Sequence, residues 1–498
     1  MGRLLSFKYR SVCIYLVILF LRSIPVFSQT ITSFSPVSGP TGLQGSTTIT
    51  INGTGFSTTP ANNLVFFGAV SVVPSAATAT TLTVNVPTGT TYQYLSVLNK
   101  ETEKRATAYS QEPFIPTFYN EGAMQFSTSA DYTLPYSSSK PYFKVGDIDG
   151  DGKPDVVLLN VAANTVTVLR NTSSVGSLSF ATGVDITTGV TPTCIAIEDM
   201  DGDGKYDLVV GNSGDKTFSV ILNTSTTGTI SFAAKADFST PVPSIVDELA
   251  AGDMDGDGKM DIFYIKFILS TTTVLGFLNN STIGSPSFTS DIVLNSHSSK
   301  NIFFADYDQD GKADISWVNS GNGLADLYRN TSTLGNISVQ TKVAVTAGTG
   351  PFWFTAGDLD GDGKPDLVST NTGGNNIATL RNISTSGTIN FAARSGTPLG
   401  TTTPSCVVMT DIDGDGKPDI AVTAKGNNTV NIFRNNSTSG TISLGGRVSL
   451  STDTSPNFLS FCDFDGDGKP DMAVANASSF TITKSLSKTK MFFSRMPF

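Results

Sequence analysis

An aspartate-rich segment of nine residues recurs seven times in this chain at an almost constant interval. The first copy is Asp147-Ile-Asp-Gly-Asp-Gly-Lys-Pro-Asp155, and the steps between first aspartates are 52, 54, 53, 52, 53 and 52 residues. A unit of this length cannot bury its apolar face alone, so neighbouring units must pack against each other. The later copies begin at Asp199, Asp253, Asp306, Asp358, Asp411 and Asp463.

The chemistry of the segment is that of a calcium-binding loop. Aspartates at positions 1, 3 and 5 can turn their carboxylates toward one hard cation. The main-chain carbonyl of position 7 can join them, and an aspartate at position 9 completes the set. Position 6 is glycine in all seven copies, as a sharp turn requires. Seven copies in register make this signal far more specific than a single copy would be.

Charge and cysteine content narrow the class of protein. The net charge is −10, and 28 of the 42 acidic residues lie in the seven loops. The acidity is therefore a local supply of metal ligands rather than evidence for a basic partner. The sequence has no basic patch interleaved with aromatic residues, which argues against nucleic acid. Cys194, Cys406 and Cys462 lie in different repeats, a pattern typical of small buried side chains rather than of a disulfide framework.

Residues 1–28 have the pattern of a secretory signal peptide. Basic residues at positions 3, 8 and 10 precede a short apolar run at Val12–Leu21, and cleavage after Ser28 would leave Gln29 first. The run is too short for a membrane anchor, and no later stretch is long and apolar enough to span a bilayer. We expect a secreted or cell-surface protein with no transmembrane segment in the mature chain.

Residues 29–110 predict a small all-β domain. The segment resembles the immunoglobulin-like IPT/TIG domain in the pattern of residues 31–40 and in the Gly-x-Gly-Phe turn of residues 53–56. The resemblance implies a β-sandwich that serves as a spacer or interaction module, with no chemistry of its own. The β-prone runs, separated by turn residues, are Thr48–Asn52, Leu64–Phe67, Thr81–Val86 and Tyr94–Leu98.

Each repeat between residues 122 and 483 predicts four short strands. Apolar residues alternate before each loop, a β-prone run such as Val156–Leu159 follows it, and a third run ends at an asparagine such as Asn171. A turn with local hydrogen bonds is favoured there over a glycosylation acceptor. We expect fourth strands at segments such as Thr229–Phe232 and Thr388–Phe391. Seven such repeats predict a seven-bladed β-propeller.

The ends of the array predict how the ring closes. The last repeat lacks a fourth strand, and residues 123–132 are similar to residues 229–238 of an earlier repeat. We expect residues near Met124–Phe126 to supply the outer strand of the last blade, which would leave no free sheet edge. Residues 111–121, which contain two prolines, are expected to form a linker, and residues 484–498 an irregular tail.

The array resembles the FG-GAP/VCBS repeats of integrin-α-type propellers. In that family the Asp-x-Asp-x-Asp-Gly-x-x-Asp loop joins the first two strands of a blade and binds Ca²⁺, which implies up to seven ions here. The fourth copy departs from the pattern with Gln309 where the others have glycine, and we expect backbone strain there but no lost ligand. An EF-hand fits less well, because position 12 is a strand residue such as Leu158 rather than glutamate.

Carried over residue by residue, the resemblance implies seven ligand sets, in each of which the lysine offers its main-chain carbonyl. The first four sets are Asp147, Asp149, Asp151, Lys153 and Asp155; Asp199, Asp201, Asp203, Lys205 and Asp207; Asp253, Asp255, Asp257, Lys259 and Asp261; and Asp306, Asp308, Asp310, Lys312 and Asp314. The last three are Asp358, Asp360, Asp362, Lys364 and Asp366; Asp411, Asp413, Asp415, Lys417 and Asp419; and Asp463, Asp465, Asp467, Lys469 and Asp471. A structural role for the ions is favoured over direct coordination of a partner. Direct coordination stays open, because the four carboxylates and one carbonyl leave room for water on the ion.

The sequence leaves more than one class of function open. The first is a secreted or cell-surface calcium-binding adhesion or recognition module that binds protein or polysaccharide. The alternative is a propeller-based extracellular carbohydrate-active enzyme, either a lyase or an esterase. The only histidine is His297, so a histidine-based triad has one possible centre, and this favours a binding protein without catalytic residues. A spacer role is the third option.

Overall fold

The computed structural model describes residues 29–41, 46–101, 106–118, 124–127, 132–135, 142–239, 245–268, 271–296, 299–400 and 403–486. Within these ranges the chain forms strands and turns, with one short 3₁₀ helix at Pro60–Asn62 and no α-helix. The all-β class predicted from the sequence is confirmed. The predicted signal peptide, His297 and residues 487–498 lie outside the described residues.

The N-terminal domain is a sandwich of two sheets. Buried side chains from both sheets, among them Ile49, Ile51, Phe67 and Phe114, form its core. The strands are β1 (Thr30–Ser35), β2 (Ser38–Pro40), β3 (Thr48–Thr54), β4 (Asn63–Phe67), β5 (Val70–Val72), β6 (Ala76–Ala77), β7 (Thr81–Asn85), β8 (Gln93–Asn99) and β9 (Ala106–Thr117). One sheet has the order β1-β3-β7-β6 and the other β2-β9-β8-β4-β5.

The segment predicted as a linker, residues 111–121, is largely part of this domain. Residues 111–117 belong to β9, which pairs with β8 and runs parallel to β2. The two prolines that suggested a linker are tolerated there: Pro113 lies beside a register shift opposite Tyr94, and Pro116 pairs with the very short β2. The rest of the predicted linker is undescribed apart from Phe118.

Seven four-stranded antiparallel sheets follow in the described part of the chain. From first to fourth strand, the first three are β11–β14 (Phe143–Gly146, Asp155–Asn160, Thr165–Leu169, Val184–Thr187), β15–β18 (Pro192–Glu198, Asp207–Asn212, Thr217–Ile221, Ala236–Ser239) and β19–β22 (Ile245–Gly252, Asp261–Ile268, Thr271–Asn279, Phe288–Ser296). The next three are β23–β26 (Ser299–Ala305, Asp314–Asn319, Leu324–Tyr328, Val343–Thr346), β27–β30 (Pro351–Gly357, Asp366–Asn371, Asn376–Leu380, Ser395–Pro398) and β31–β34 (Pro404–Thr410, Asp419–Ala424, Thr429–Asn435, Leu444–Ser451). The last contains β35 (Phe458–Cys462), β36 (Asp471–Ala475), β37 (Ser479–Thr483) and β10 (Tyr132–Pro135).

The sheets are arranged in a closed ring. The first strand of each sheet contacts the first strand of the next, and β35 contacts β11 in turn. The second strands are buried along almost their whole length, as in Val156–Leu159 of β12, because neighbouring sheets cover both of their faces. This arrangement is a β-propeller.

The fourth strands lie further along the chain than the sequence predicted. In the second sheet the outer strand is β18, whereas Thr229 and Phe232 form isolated bridges to Thr226 and Asn223. The fifth sheet shows the same displacement, since its outer strand is β30 and Phe391 bridges to Asn382. The serine- and threonine-rich turn is thus a small hairpin of its own, and the true outer strand begins after it.

The ring closes through the N-terminal side of the array, as predicted, but by other residues. β10 (Tyr132–Pro135) pairs antiparallel with β37 and is the outer strand of the last sheet. Phe126, in the segment predicted for that role, instead bridges to Ser485. The Ser485 amide donates to Asp471, so residues 484–486, assigned to the irregular tail from the sequence, still contribute to the last sheet.

Candidate metal centres

All seven aspartate loops occupy the same place in their sheets. Each loop follows the last residue of a first strand, and its position-9 aspartate is the first residue of the second strand, as Gly146 and Asp155 show. The loops therefore lie at one edge of the ring. The sequence predicted this connection between the first two strands of each repeat.

Main-chain amides of the loop fix the orientation of its carboxylates. In the first loop, Asp147 accepts hydrogen bonds from the amides of Asp151 (3.0 Å) and Gly152 (2.9 Å), and Asp151 accepts from the amide of Lys153 (2.9 Å). Gly152 has φ of 84°, which favours glycine. At position 4 of the fourth loop, Gln309 has φ of 57°, so the strain predicted there is present.

The position-9 aspartate ties the loop to the body of its sheet. One carboxylate oxygen of Asp155 accepts the amide of Ile148 (2.9 Å), and the other accepts the amide of Asn171 (2.7 Å). Burial, together with the neighbouring Asp149 and Asp147 charges, raises the pKa of Asp155 to about 8 despite these hydrogen bonds. Burial likewise raises the pKa of Asp207 to about 9 and that of Asp419 to about 8.

Carboxylate oxygens from different aspartates of a loop converge closely enough to share a cation. In each of the first five loops, one oxygen from each of three aspartates lies within 4.8 Å of the other two. Only oxygen donors are present in these clusters, which suits a hard divalent cation. The clusters are Asp147, Asp149 and Asp155; Asp199, Asp201 and Asp203; Asp253, Asp255 and Asp257; Asp306, Asp308 and Asp314; and Asp358, Asp360 and Asp366.

The position-7 lysines direct their ammonium groups away from the converging carboxylates in most loops. Lys153 donates to the main-chain carbonyl of Ser173 at 2.7 Å, and the next five lysines bond the equivalent serine carbonyl of their own repeat. In the last loop, Lys469 instead contacts the Asp467 carboxylate at 3.0 Å. The carbonyl ligands at position 7 stay a prediction from the resemblance.

The loops also hold neighbouring repeats together. The position-3 carboxylate accepts an amide from the asparagine turn of the next repeat, for example Gly228 to Asp149 at 2.7 Å and Gly335 to Asp255 at 2.6 Å. The Asn223 side-chain amide donates to the carbonyl of Ile148 in the preceding loop at 2.8 Å. The turn asparagines Asn171, Asn223 and Asn382 are buried, which fits the structural turn role that the sequence favoured over glycosylation.

Four arginines that the sequence pattern did not predict as site residues reach the loops. Arg170, Arg329, Arg381 and Arg434 each lie directly before the turn asparagine and pair with the position-3 and position-5 carboxylates of their own repeat. A single arginine in a strand is usually a solvated charge. The signal that could have identified these arginines is their recurrence directly before the turn asparagine in four repeats.

The N-terminal domain sits on the loop-bearing edge of the ring. Ala69 accepts the amide of Asp147 at 2.7 Å, and the ring of Phe66 lies 5.3 Å from that of Tyr206. A cavity of about 690 Å³ extends from this interface along the first strands. Burial, and to a lesser extent the charge of Asp199, raises the pKa of Glu198 in its wall to about 7, although Lys144 opposes the shift. Repeat patterns carry no signal for such an interdomain cavity.

Comparison with protein families accounts for both parts of the chain. The model of the FG-GAP-like repeat matches residues 147–210, 199–264, 306–369, 358–422 and 411–474, more than half of the chain in total. The chain belongs to the FG-GAP-like repeat family. The IPT/TIG domain model matches residues 30–114 of this FG-GAP-like protein. Both resemblances stated from the sequence are confirmed.

Several solved structures align with the chain at low sequence identity. Rhamnogalacturonan lyase YesW is 15% identical with a TM-score of 0.41, over 93% of this chain and 92% of that chain. An auxiliary nutrient binding protein from Bacteroides ovatus is 12% identical with a TM-score of 0.35, over 92% and 98%. BBS1N in complex with ARL6DN is 11% identical with a TM-score of 0.46, over 74% and 97%. At such values none of them informs the activity of this FG-GAP-like protein.

No curated protein sequence matches the FG-GAP-like chain. Among the described residues, no helix has the length and apolar character needed to cross a bilayer.

Proposed function

We propose that this FG-GAP-like repeat protein is an extracellular recognition module that binds a protein or polysaccharide, with calcium ions in its loops stabilising the propeller. The observation with most weight is the hydrogen bond that each of five loops accepts from the following repeat, as Asp149 does from the amide of Gly228. A cation held by the Asp147 loop would therefore stiffen the junction between two repeats as well as the loop itself.

The charge of the loops supports a requirement for cations. Four carboxylates lie within nine residues, and burial raises the pKa of the position-1 residues Asp199, Asp253 and Asp411 to about 7. A divalent cation offsets both the burial of the charges and their mutual repulsion. Oxygen-ligand sites in extracellular modules have dissociation constants of roughly 10⁻⁴–10⁻³ M. Such sites would fill on export into a calcium-rich medium.

The architecture supports binding rather than a defined catalytic reaction. The matched families are a repeat and an immunoglobulin-like module, and neither carries a catalytic motif in this chain. The chain has a single histidine, His297, so a histidine-based catalytic triad has only one possible centre. The enzyme alternative is distinguished by turnover, whereas a recognition module forms a stable complex without changing its ligand.

A paired array experiment tests this function. The purified protein is applied to polysaccharide and cell-surface-protein arrays in millimolar calcium and again with excess chelator. We expect capture of one ligand class in calcium and loss of capture in chelator, with calcium retained by the protein in equilibrium dialysis. A protein that retains no calcium and has the same melting temperature in chelator would contradict the calcium role. Depolymerisation of a polysaccharide without stable capture would favour the lyase or esterase alternative.

A further inference from the structure

The residue before the turn asparagine differs among the repeats in a way that affects the loops. It is arginine in the first, fourth, fifth and sixth repeats and leucine in the second and third, namely Arg170, Arg329, Arg381, Arg434, Leu222 and Leu278. This position is either the penultimate residue of the third strand or the residue directly after that strand, and in the arginine repeats its side chain reaches the loop between the first two strands. A substitution here therefore changes the charge next to the converging aspartates.

Each guanidinium bridges two carboxylates of its own loop. Nε of Arg381 lies 2.7 Å from Oδ2 of Asp360, and its Nη2 lies 3.2 Å from Oδ2 of Asp362. Nε of Arg329 lies 2.5 Å from Oδ2 of Asp308, and its Nη2 pairs with Asp310. Arg434 repeats the arrangement in the sixth loop, and Arg170 makes a looser version, with both distances at 3.7 Å. The position-3 carboxylates in these pairs are buried, which strengthens the pairing.

The set of converging carboxylates changes together with this residue. In the first, fourth and fifth loops, which have an arginine, the clustered aspartates occupy positions 1, 3 and 9. In the second and third loops, which have a leucine, they occupy positions 1, 3 and 5. The arginine thus correlates with a position-5 carboxylate that faces the guanidinium instead of the other aspartates. Two separate features of the structure, the ion pairs and the clusters, divide the loops in the same way.

We propose that these four arginines are internal counter-ions that divide the loops into two classes of calcium affinity, provided that the loops hold calcium as proposed above. A guanidinium is permanently charged and grips two carboxylates through a rigid fork. Calcium in an arginine loop must share those carboxylates and meets a cation beside the site, so it binds more weakly. Ligand charge tunes calcium affinity in such sites. The arginine in turn holds the loop in shape by itself, whereas a leucine loop depends on the ion.

Reciprocal substitutions in the full chain test this division. Arg329→Leu gives the fourth loop the residue of the third, and Leu278→Arg does the reverse. Calcium chloride is titrated calorimetrically into chelator-treated protein. For Arg329→Leu we expect one site to bind about tenfold more tightly, and for Leu278→Arg one site to weaken by about the same factor. Arg329→Lys keeps the charge without the fork and should keep the weak affinity.

A second measurement separates a counter-ion from a residue that merely packs. Arg329→Leu should lower the melting temperature more in excess chelator than in saturating calcium. In saturating calcium, the bound ion replaces the positive charge that the substitution removes. If the wild-type protein binds calcium and its affinity is unchanged in both Arg329→Leu and Leu278→Arg, the role of the arginines is overturned, whereas the proposed function is not. An absence of calcium binding by the wild-type protein would overturn the proposed function as well.

Discussion

The side-chain amide of Asn171 donates a hydrogen bond to the main-chain carbonyl of Phe464, 2.9 Å away, across the junction between the first repeat and the last. The same amide donates to Pro154 in its own repeat at 3.0 Å. Equivalent asparagines make the equivalent bond at internal junctions, such as Asn382 to Tyr307 at 2.9 Å. Ring closure therefore uses the same polar contact as every internal junction that has a turn asparagine.

Replacing Asn171 with alanine is expected to destabilise the protein by about 1–3 kcal/mol, because buried carbonyls lose their donor. Urea unfolding followed by fluorescence measures the change. Asn382→Ala is the matched control at an internal junction and should cost a similar amount. A negligible cost for Asn171→Ala beside a clear cost for Asn382→Ala would mean that the closing junction does not form in solution.

Removing one loop carboxylate should remove one calcium ion. Asp255 is buried in the third loop, and its Oδ2 accepts the amide of Gly335 in the next repeat. For Asp255→Asn we expect equilibrium dialysis to show one equivalent of calcium less than for the wild type. The free energy of unfolding in calcium should be lower by about 1–3 kcal/mol. Asp185→Asn is the control, since Asp185 lies exposed on β14, where it accepts a hydrogen bond from Thr167. Full calcium content in Asp255→Asn would exclude Asp255 as a ligand.

Stability without calcium should fall as the pH rises. The position-9 carboxyls have pKa values raised by burial, to about 8 for Asp155 and Asp261, against roughly 4 for aspartate in an unfolded chain. Between these values the folded protein holds more protons than the unfolded one, so the stabilisation present below pH ~4 is lost as the pH rises through the folded pKa. In excess chelator we therefore expect a lower melting temperature at pH 8 than at pH 5.

Calcium should weaken or reverse this trend, because the ion binds the ionised carboxylates and competes with protons. Differential scanning calorimetry at both pH values, with chelator and with millimolar calcium, gives the comparison. A melting temperature that rises with pH in chelator would show that the loop carboxyls ionise at ordinary values in the folded protein.

The repeat period and the loop composition were sufficient to predict the class of fold, the place of the loops and the closure of the ring. The fourth strands were misplaced because the turn hairpin carries stronger β-forming residues, such as Ile230 and Phe232, than the four-residue outer strand β18. That strand is half exposed and contains Asp237, so its apolar pattern is weak. Short edge strands generally give a weak signal of this kind.

The clustering of the loop aspartates was predictable from the sequence, but the arginines that pair with them were not. Three aspartates in a loop show their chemistry by spacing alone, whereas Arg381 acts through a contact that spans about twenty residues and depends on the pairing of the third strand. The contact of Phe66 with Tyr206 could not be predicted either, because it joins the N-terminal domain to the second repeat and neither sequence pattern extends to the other. Long-range contacts of single residues leave no periodic trace.

An engineered disulfide can test closure of the ring directly. Thr133 of β10 pairs with Thr481 of β37 in an antiparallel register, a relationship that places Cβ atoms about 4.5–5.5 Å apart, near the range that a disulfide needs. We expect Thr133→Cys with Thr481→Cys to form a bond on oxidation, seen as a shift in non-reducing electrophoresis and a stabilisation of about 2–4 kcal/mol. The three described native cysteines are buried and should not interfere.

The control places the new cysteine in the segment that the sequence predicted as the outer strand. Gln125 lies beside Leu486 rather than Thr481, since its carbonyl accepts the Leu486 amide at 2.7 Å. Gln125→Cys with Thr481→Cys should therefore stay reduced under the same oxidant. Bond formation in the Gln125 pair but not in the Thr133 pair would reverse the assignment and make residues 124–126 the outer strand. Formation in neither pair would indicate an open array, with the edge of β37 unpaired.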